Sequence, residues 1–146
     1  MKVMKHIRSR VLTPLAIILS AVAATANLSA QTPETVPVSI TQIFKRAHPE
    51  AKDREVIVQR IELAPGASPP PHVHPGMVTG YVISGSLDFQ VEGEPLLHLK
   101  AGDTFFEAPG SKHLVARNTD KKEKAVLIAF VINPKDQDVA QPMKGH

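Results

Sequence analysis

From Glu55 onward the chain is a series of short apolar runs with polar residues interleaved. "EVIVQRIELA" alternates, is rich in Val and Ile, and stops at Pro65-Gly66. "MVTGYVISG", "SLDFQVEG", "PLLHLKAG", "DTFFEAPG", "HLVARN" and "KAVLIAFVIN" follow, each bounded by Gly, Pro, Asn or Asp. Regular short strands separated by turn residues predict an all-β sandwich or barrel. No sustained 3.6-residue period appears after residue 48. Gly85-Ser86 reads as a two-residue hairpin turn, Gly93-Glu94-Pro95 as the next reversal and Ala101-Gly102-Asp103 as another. Such a meander leaves a barrel mouth where polar side chains of one face converge.

The flanks differ from this core. Residues 31–52 form a lead-in, in which "QTPETVPVS" is Pro-containing and flexible and "ITQIFKRA" (40–47) fits either helical turns or an edge strand. The β domain is expected over 53–133, and 134–146 reads as a loose polar tail. In a monomer "EVIVQRIEL" would be an exposed sheet edge. Proteins cover such edges, so a homodimer is expected.

The first thirty residues set a different problem. Lys2, Lys5, Arg8 and Arg10 precede the apolar run "VLTPLAIILSAVAATA", and small residues close the segment at Ala30. That is the layout of a secretory signal peptide over residues 1–30, with Ala26 as the second choice of cleavage site and an uncleaved anchor as the alternative. Removing it takes Lys+Arg from 17 to 13 against 14 acidic residues. The mature chain, about 115 residues long and able to bury a core, is then near neutral. Its charge gives no support for nucleic-acid binding, and no membrane attachment remains after cleavage. Absence of cysteine excludes disulfides, thiolate chemistry and a lipoprotein anchor. A periplasmic or secreted location follows.

Chemistry concentrates in histidines. His72 and His74 stand two residues apart after "PPP", so in an extended strand both point the same way. The prolines pre-set that extended approach. His113 follows the turn "APGSK" and enters another strand. Three imidazoles from two strands suit a divalent transition metal (Fe, Mn, Zn, Ni or Cu) with positions open for a small-molecule ligand. Taken alone, His-x-His also fits an exposed polar pair. Glu107, at the end of "DTFFE", is costly to bury unless it is paired or ligates a cation; in water it would be only a rim carboxylate. His98 alternates with Leu97 and Leu99 and belongs to the solvent face, and His6, His48 and His146 read as ordinary. Tyr81 is expected to pack on the face opposite His72 and His74. Phe89, Phe105, Phe106 and Phe130 are expected in the core, and "DKKEK" (120–124) in a solvated loop.

These motifs resemble the cupin superfamily. Its first motif is a glycine, five residues, His-x-His, three or four residues, a glutamate, six residues and a glycine. Here Gly66 precedes "ASPPP", His72-Val73-His74, "PGM", Val78, "TGYVIS" and Gly85. Its second motif, a glycine, five residues, proline, one residue, glycine, two residues and histidine, corresponds to Gly102, "DTFFE", Ala108-Pro109-Gly110, Ser111-Lys112 and His113, with the proline displaced by one to Pro109 and Asn118 one place late. The resemblance implies a double-stranded β-helix (jelly-roll) barrel and carries over three metal ligands, His72, His74 and His113. It does not carry over the fourth, because the glutamate position holds Val78. In this pattern the residue before the Pro-Gly turn lines the pocket, so Glu107 would replace the missing ligand or act as a catalytic acid/base.

Two functions remain open on this reading. One is an enzyme of dioxygenase, isomerase or lyase type acting on a small anionic or oxygen-rich organic molecule. The other is a non-catalytic cupin that binds a small molecule or a metal, because fold does not fix function. Export is the directly testable part. Protein recovered from a secretion-competent host is expected to give an N-terminal sequence beginning near Gln31, and an intact Met1 terminus would contradict it.

Overall fold

The computed structural model describes residues 37–143. Residues 1–30, expected to be a signal peptide, lie outside them. Every regular element among them is a strand: β1 (Val38–Ala47), β2 (Arg54–Leu63), β3 (His72–Val73), β4 (Met77–Ser84), β5 (Ser86–Val91), β6 (Leu97–Lys100), β7 (Thr104–Glu107), β8 (Lys112–Asn118), β9 (Ala125–Pro134) and β10 (Gln141–Pro142). They form two antiparallel five-stranded sheets, in the orders β1-β2-β9-β4-β7 and β10-β3-β8-β5-β6. From β2 on, the chain crosses to the other sheet at nearly every connection, and only β5–β6 pair as a hairpin within one sheet. This is a jelly-roll double-stranded β-helix, the expected fold class.

The crossing corrects the meander. Gly85 does not close a hairpin, because β4 and β5 belong to different sheets. It sits at φ +81° where a Cβ would lie 2.7 Å from Ala125 Cα, so the chain can turn from one sheet to the other only at a glycine. The turn at 101–103 likewise hands the chain from β6 to β7 across the sandwich. Local turn chemistry is the same for both outcomes; which sheet the next strand joins is decided by where its apolar face is buried.

Period-two burial places the core between the sheets. Ile57, Leu63, Val78, Val82, Leu127, Ala129 and Val131 face inward from one sheet, and Leu87, Phe89, Val91 and Leu99 from the other. Phe105 joins them, but Phe106 and Phe130 do not. Those two, with Tyr81, stand on the outer face at 55%, 47% and 46% exposure, so alternation overrides the expectation that these aromatics are packed.

The lead-in is also more ordered than its composition suggests. "ITQIFKRA" is strand, not helix: β1 pairs along the whole of β2 with a bulge between Gln42 and Phe44. β2 is therefore an interior strand, and the sheet edge expected there is moved to β1, which is exposed at nearly every position. The tail is not loose either, since Gln141 and Pro142 pair with Val73 and His72.

Gly80 illustrates how tightly the barrel wall is made. A Cβ at Gly80 would overlap the ring of Phe105 and come within 2.9 Å of the Ile128 carbonyl oxygen. Gly80→Ala is expected to push the Phe105 ring toward the interior and to cost about 1–3 kcal/mol. Denaturant unfolding checks this, and an unchanged midpoint would refute it.

Candidate functional site

Strand pairing assembles the site. β3 lies antiparallel to β8 with His72 directly opposite His113. β3 ends at Val73, and His74 lies just beyond it, tied to the Pro-Gly turn by a hydrogen bond from the Gly110 amide to its carbonyl oxygen (2.8 Å). In the other sheet β4 lies antiparallel to β7, and Val78 is directly opposite Glu107. Side chains opposed across an antiparallel pair have Cβ atoms about 5 Å apart. A carboxyl group on the adjacent strand thus stands at the same level of the barrel as position 78. His74, Glu107 and His113 are 8%, 2% and 6% exposed, and His72 is half-buried.

Each histidine is oriented by a backbone carbonyl. His72 Nδ1 lies 2.9 Å from the Pro70 oxygen, His74 Nδ1 2.8 Å from the Val139 oxygen, and His113 Nε2 2.8 Å from the Val115 oxygen. A carbonyl only accepts, so each of these nitrogens donates its N–H. In a neutral ring held this way the other nitrogen carries a lone pair. One ring nitrogen of each of the three histidines lies within 4.8 Å of the others. His72 Nε2 and His74 Nε2 are only 3.0 Å apart. Glu107 Oε2 stands 3.3 Å from His113 Nδ1 and 3.6 Å from His74 Nε2.

Ring nitrogens and a carboxyl oxygen grouped this closely suit a shared cation, either a proton or a metal ion. Glu107 Oε2 and His113 Nδ1 are buried with no hydrogen-bond partner among the described residues. Burial lowers the pKa of His74 and of His113 to about 4, with His72 nearby adding to the shift, so both rings are neutral at pH 7. Burial raises the Glu107 carboxyl to about 8. The contacts of Glu107 with the two histidines are therefore between neutral groups at pH 7 and are not ion pairs. Neutral imidazoles with fixed tautomers and one carboxyl are the donor set that a divalent transition metal takes, so the residues fit such an ion.

The cluster opens on a cavity of about 920 Å³ between the sheets, lined there by Val78, Phe89, Phe105 and Val131. Residues outside the cluster behave as structure. His98 has its side chain 76% exposed and bonds Asp88 (2.7 Å), which also pairs with Arg117 across the outer face. Asn118 is buried, and its amide donates to the Leu63, Ala64 and Glu123 carbonyls, so it ties β8 to the end of β2. The sequence reading missed Val139, whose carbonyl orients His74. A backbone acceptor leaves no residue-type signal.

The comparisons agree with this architecture. A family model described as a cupin domain matches residues 59–131, half of the chain, and the chain belongs to that family. No curated protein matches it. The DMSP lyase DddQ from Ruegeria pomeroyi superposes with a TM-score of 0.58 at 20% identity, covering 70% of this chain and 50% of that one. This chain thus spans half the length of the lyase structure. An uncharacterised conserved protein with a double-stranded β-helix domain from Klebsiella pneumoniae gives 0.57 at 26% identity, covering 77% and 90%. An oxalate oxidase in complex with the substrate analogue glycolate gives 0.54 at 26% identity, covering 71% and 55%.

Proposed function

We propose that this chain is an exported, metal-dependent cupin enzyme acting on a small organic oxyanion. One observation carries the reading: His72 Nε2, His74 Nε2, His113 Nδ1 and Glu107 Oε2 converge at the wall of a cavity large enough for an organic molecule. The three histidines are the primary ligands. Glu107 stands in for the carboxylate that Val78 cannot provide, or holds and moves a proton at Oε2. A divalent ion held there supplies a Lewis acid that favours bound oxygen anions. Val78 and the surrounding apolar wall exclude water, which strengthens every charge interaction inside. The glycolate complex of the oxalate oxidase supports a hydroxy-acid or related oxyanion as ligand. The second reading, a binding protein without turnover, rests on Val78 at the usual ligand position.

Metal content per chain, read by mass spectrometry, tests the ligand set. His72→Ala and His113→Ala are expected to lose metal by more than the roughly 10–100-fold typical of an outer hydrogen-bond partner, while His98→Ala keeps it. Equal retention in all variants would sink the reading. Glu107→Gln separates the two roles of the carboxyl: retained metal makes it an acid/base, and lost metal makes it a ligand.

Proton release gives an independent check. A carboxyl with a pKa of about 8 is protonated at pH 7, and a bound cation favours its ionised form. Metal uptake at pH 7 should therefore release about one proton, and about none above pH 9. Affinity should rise with pH up to about 8 and then level off. Calorimetry in buffers of different ionisation enthalpy reads the release, and Glu107→Gln should abolish it.

The assembly proposed is a homodimer, now through β1. It is a ten-residue strand at a sheet edge, with Ile40, Ile43 and Phe44 each about half exposed. A two-fold axis lets β1 pair with its own copy and cover that edge. Light scattering at micromolar concentration is expected to give twice the chain mass, and monomer mass would reject the dimer.

A further inference from the structure

The barrel interior changes character one residue pair away from Glu107. The inward row holding Glu107 runs Lys45, Ile57, Val131, Val78 and Glu107 across β1, β2, β9, β4 and β7. The next row runs Gln42, Gln59, Ala129, Gly80 and Phe105. Phe105 fills the space over Gly80. Ala129 carries only a methyl, and on the facing sheet Ala116, opposite Phe89, carries only a methyl too. Both alanines line the cavity, so this level is left open.

Beyond that opening stand two amides. Gln42 and Gln59 are directly paired between β1 and β2, and both line the cavity. Neither side chain makes a hydrogen bond to another described residue. Lys45, the nearby cation on the same wall, is held by Glu55 at 2.8 Å. Among the described residues the far wall thus offers neutral donors and acceptors but no unpaired positive charge. Three interstrand steps separate β7 from β2, so Glu107 and Gln59 stand roughly 15 Å apart along the sheet. The inward reach of both side chains leaves a span of roughly one six-membered ring.

We propose that Gln42 and Gln59 are specificity-determining residues that read the far end of the ligand. The site takes an organic oxyanion whose apolar body has the length of one six-membered ring and ends in a neutral hydroxyl or carbonyl. The body lies over Ala116 and Ala129. This rests on the reading that the oxyanion end meets the histidine cluster. Gln59 is half-buried and Gln42 exposed, and a charged far end would find no unpaired counter-charge among the described residues there, because Lys45 is held by Glu55.

Calorimetry on the zinc-loaded full chain with pyruvate, phenylpyruvate and 4-hydroxyphenylpyruvate tests the inference. The three probes share one head and add first the ring and then the hydroxyl. Affinity is expected to rise at each step, with the hydroxyl contributing about tenfold. Gln59→Leu and the Gln42→Leu/Gln59→Leu double variant should bring the two ring probes to equal affinity and leave phenylpyruvate bound. Ala116→Leu should weaken both ring probes about tenfold or more while leaving pyruvate unchanged. Gln59→Met is the substitute where leucine disturbs folding. Zinc per chain is measured on the same samples. Zinc present with no preference for the hydroxylated probe, or with none of the probes bound, overturns this inference alone. Preference that persists without zinc supports it and removes the metal reading. Neither zinc nor preference overturns both.

Discussion

A carboxyl group 2% exposed among apolar side chains is the constraint around which this barrel is organised. Burial holds Glu107 protonated at pH 7, and its buried Oε2 has no hydrogen-bond partner among the described residues. The neutral imidazoles of His74 and His113 face it, with His72 beside them. The polar atoms are tolerable only as a set, because each leaves the others short of a positive charge. That mutual shortage, and not the number of histidines, separates the cluster from a wet strand.

The fold produces this set through register. His72 meets His113 across one sheet, and Val78 meets Glu107 across the other. The two pairs face each other because the chain changes sheets between β3 and β4 and again between β7 and β8. A slip of one residue in β3 would turn His72 to the outer face, and a slip of one residue in β7 would do the same to Glu107. The glycines at the crossings therefore protect the chemistry as well as the topology.

Much of this was legible in the chain. The turn-bounded apolar runs predict an all-β barrel, and the two motifs identify His72, His74 and His113 as a cluster; the structure brings their nitrogens together. The inward position of Glu107 follows from alternation along "DTFFE". What could not be read depends on distant pairing. "ITQIFKRA" has no local pattern that decides between helix and strand, and it becomes a strand because β2 offers it a partner along its whole length. The outward placement of Phe106 and Phe130 is set by register, not by hydrophobicity. Gln42 and Gln59 carry no motif, and their importance emerges only when both rows are seen to face one cavity.

The segment after β9 changes how the protein should be handled. Its polar composition suggests a tail that could be trimmed or fused to a tag at will. Yet the Val139 carbonyl accepts the Nδ1–H of His74, 65 residues away in sequence. Two residues further on, Gln141 and Pro142 pair with the strand that carries His72. Shortening the chain at residue 138 would remove one wall of the cavity and release the tautomer of His74, so a metal measurement on the truncated protein would say nothing about the histidines themselves.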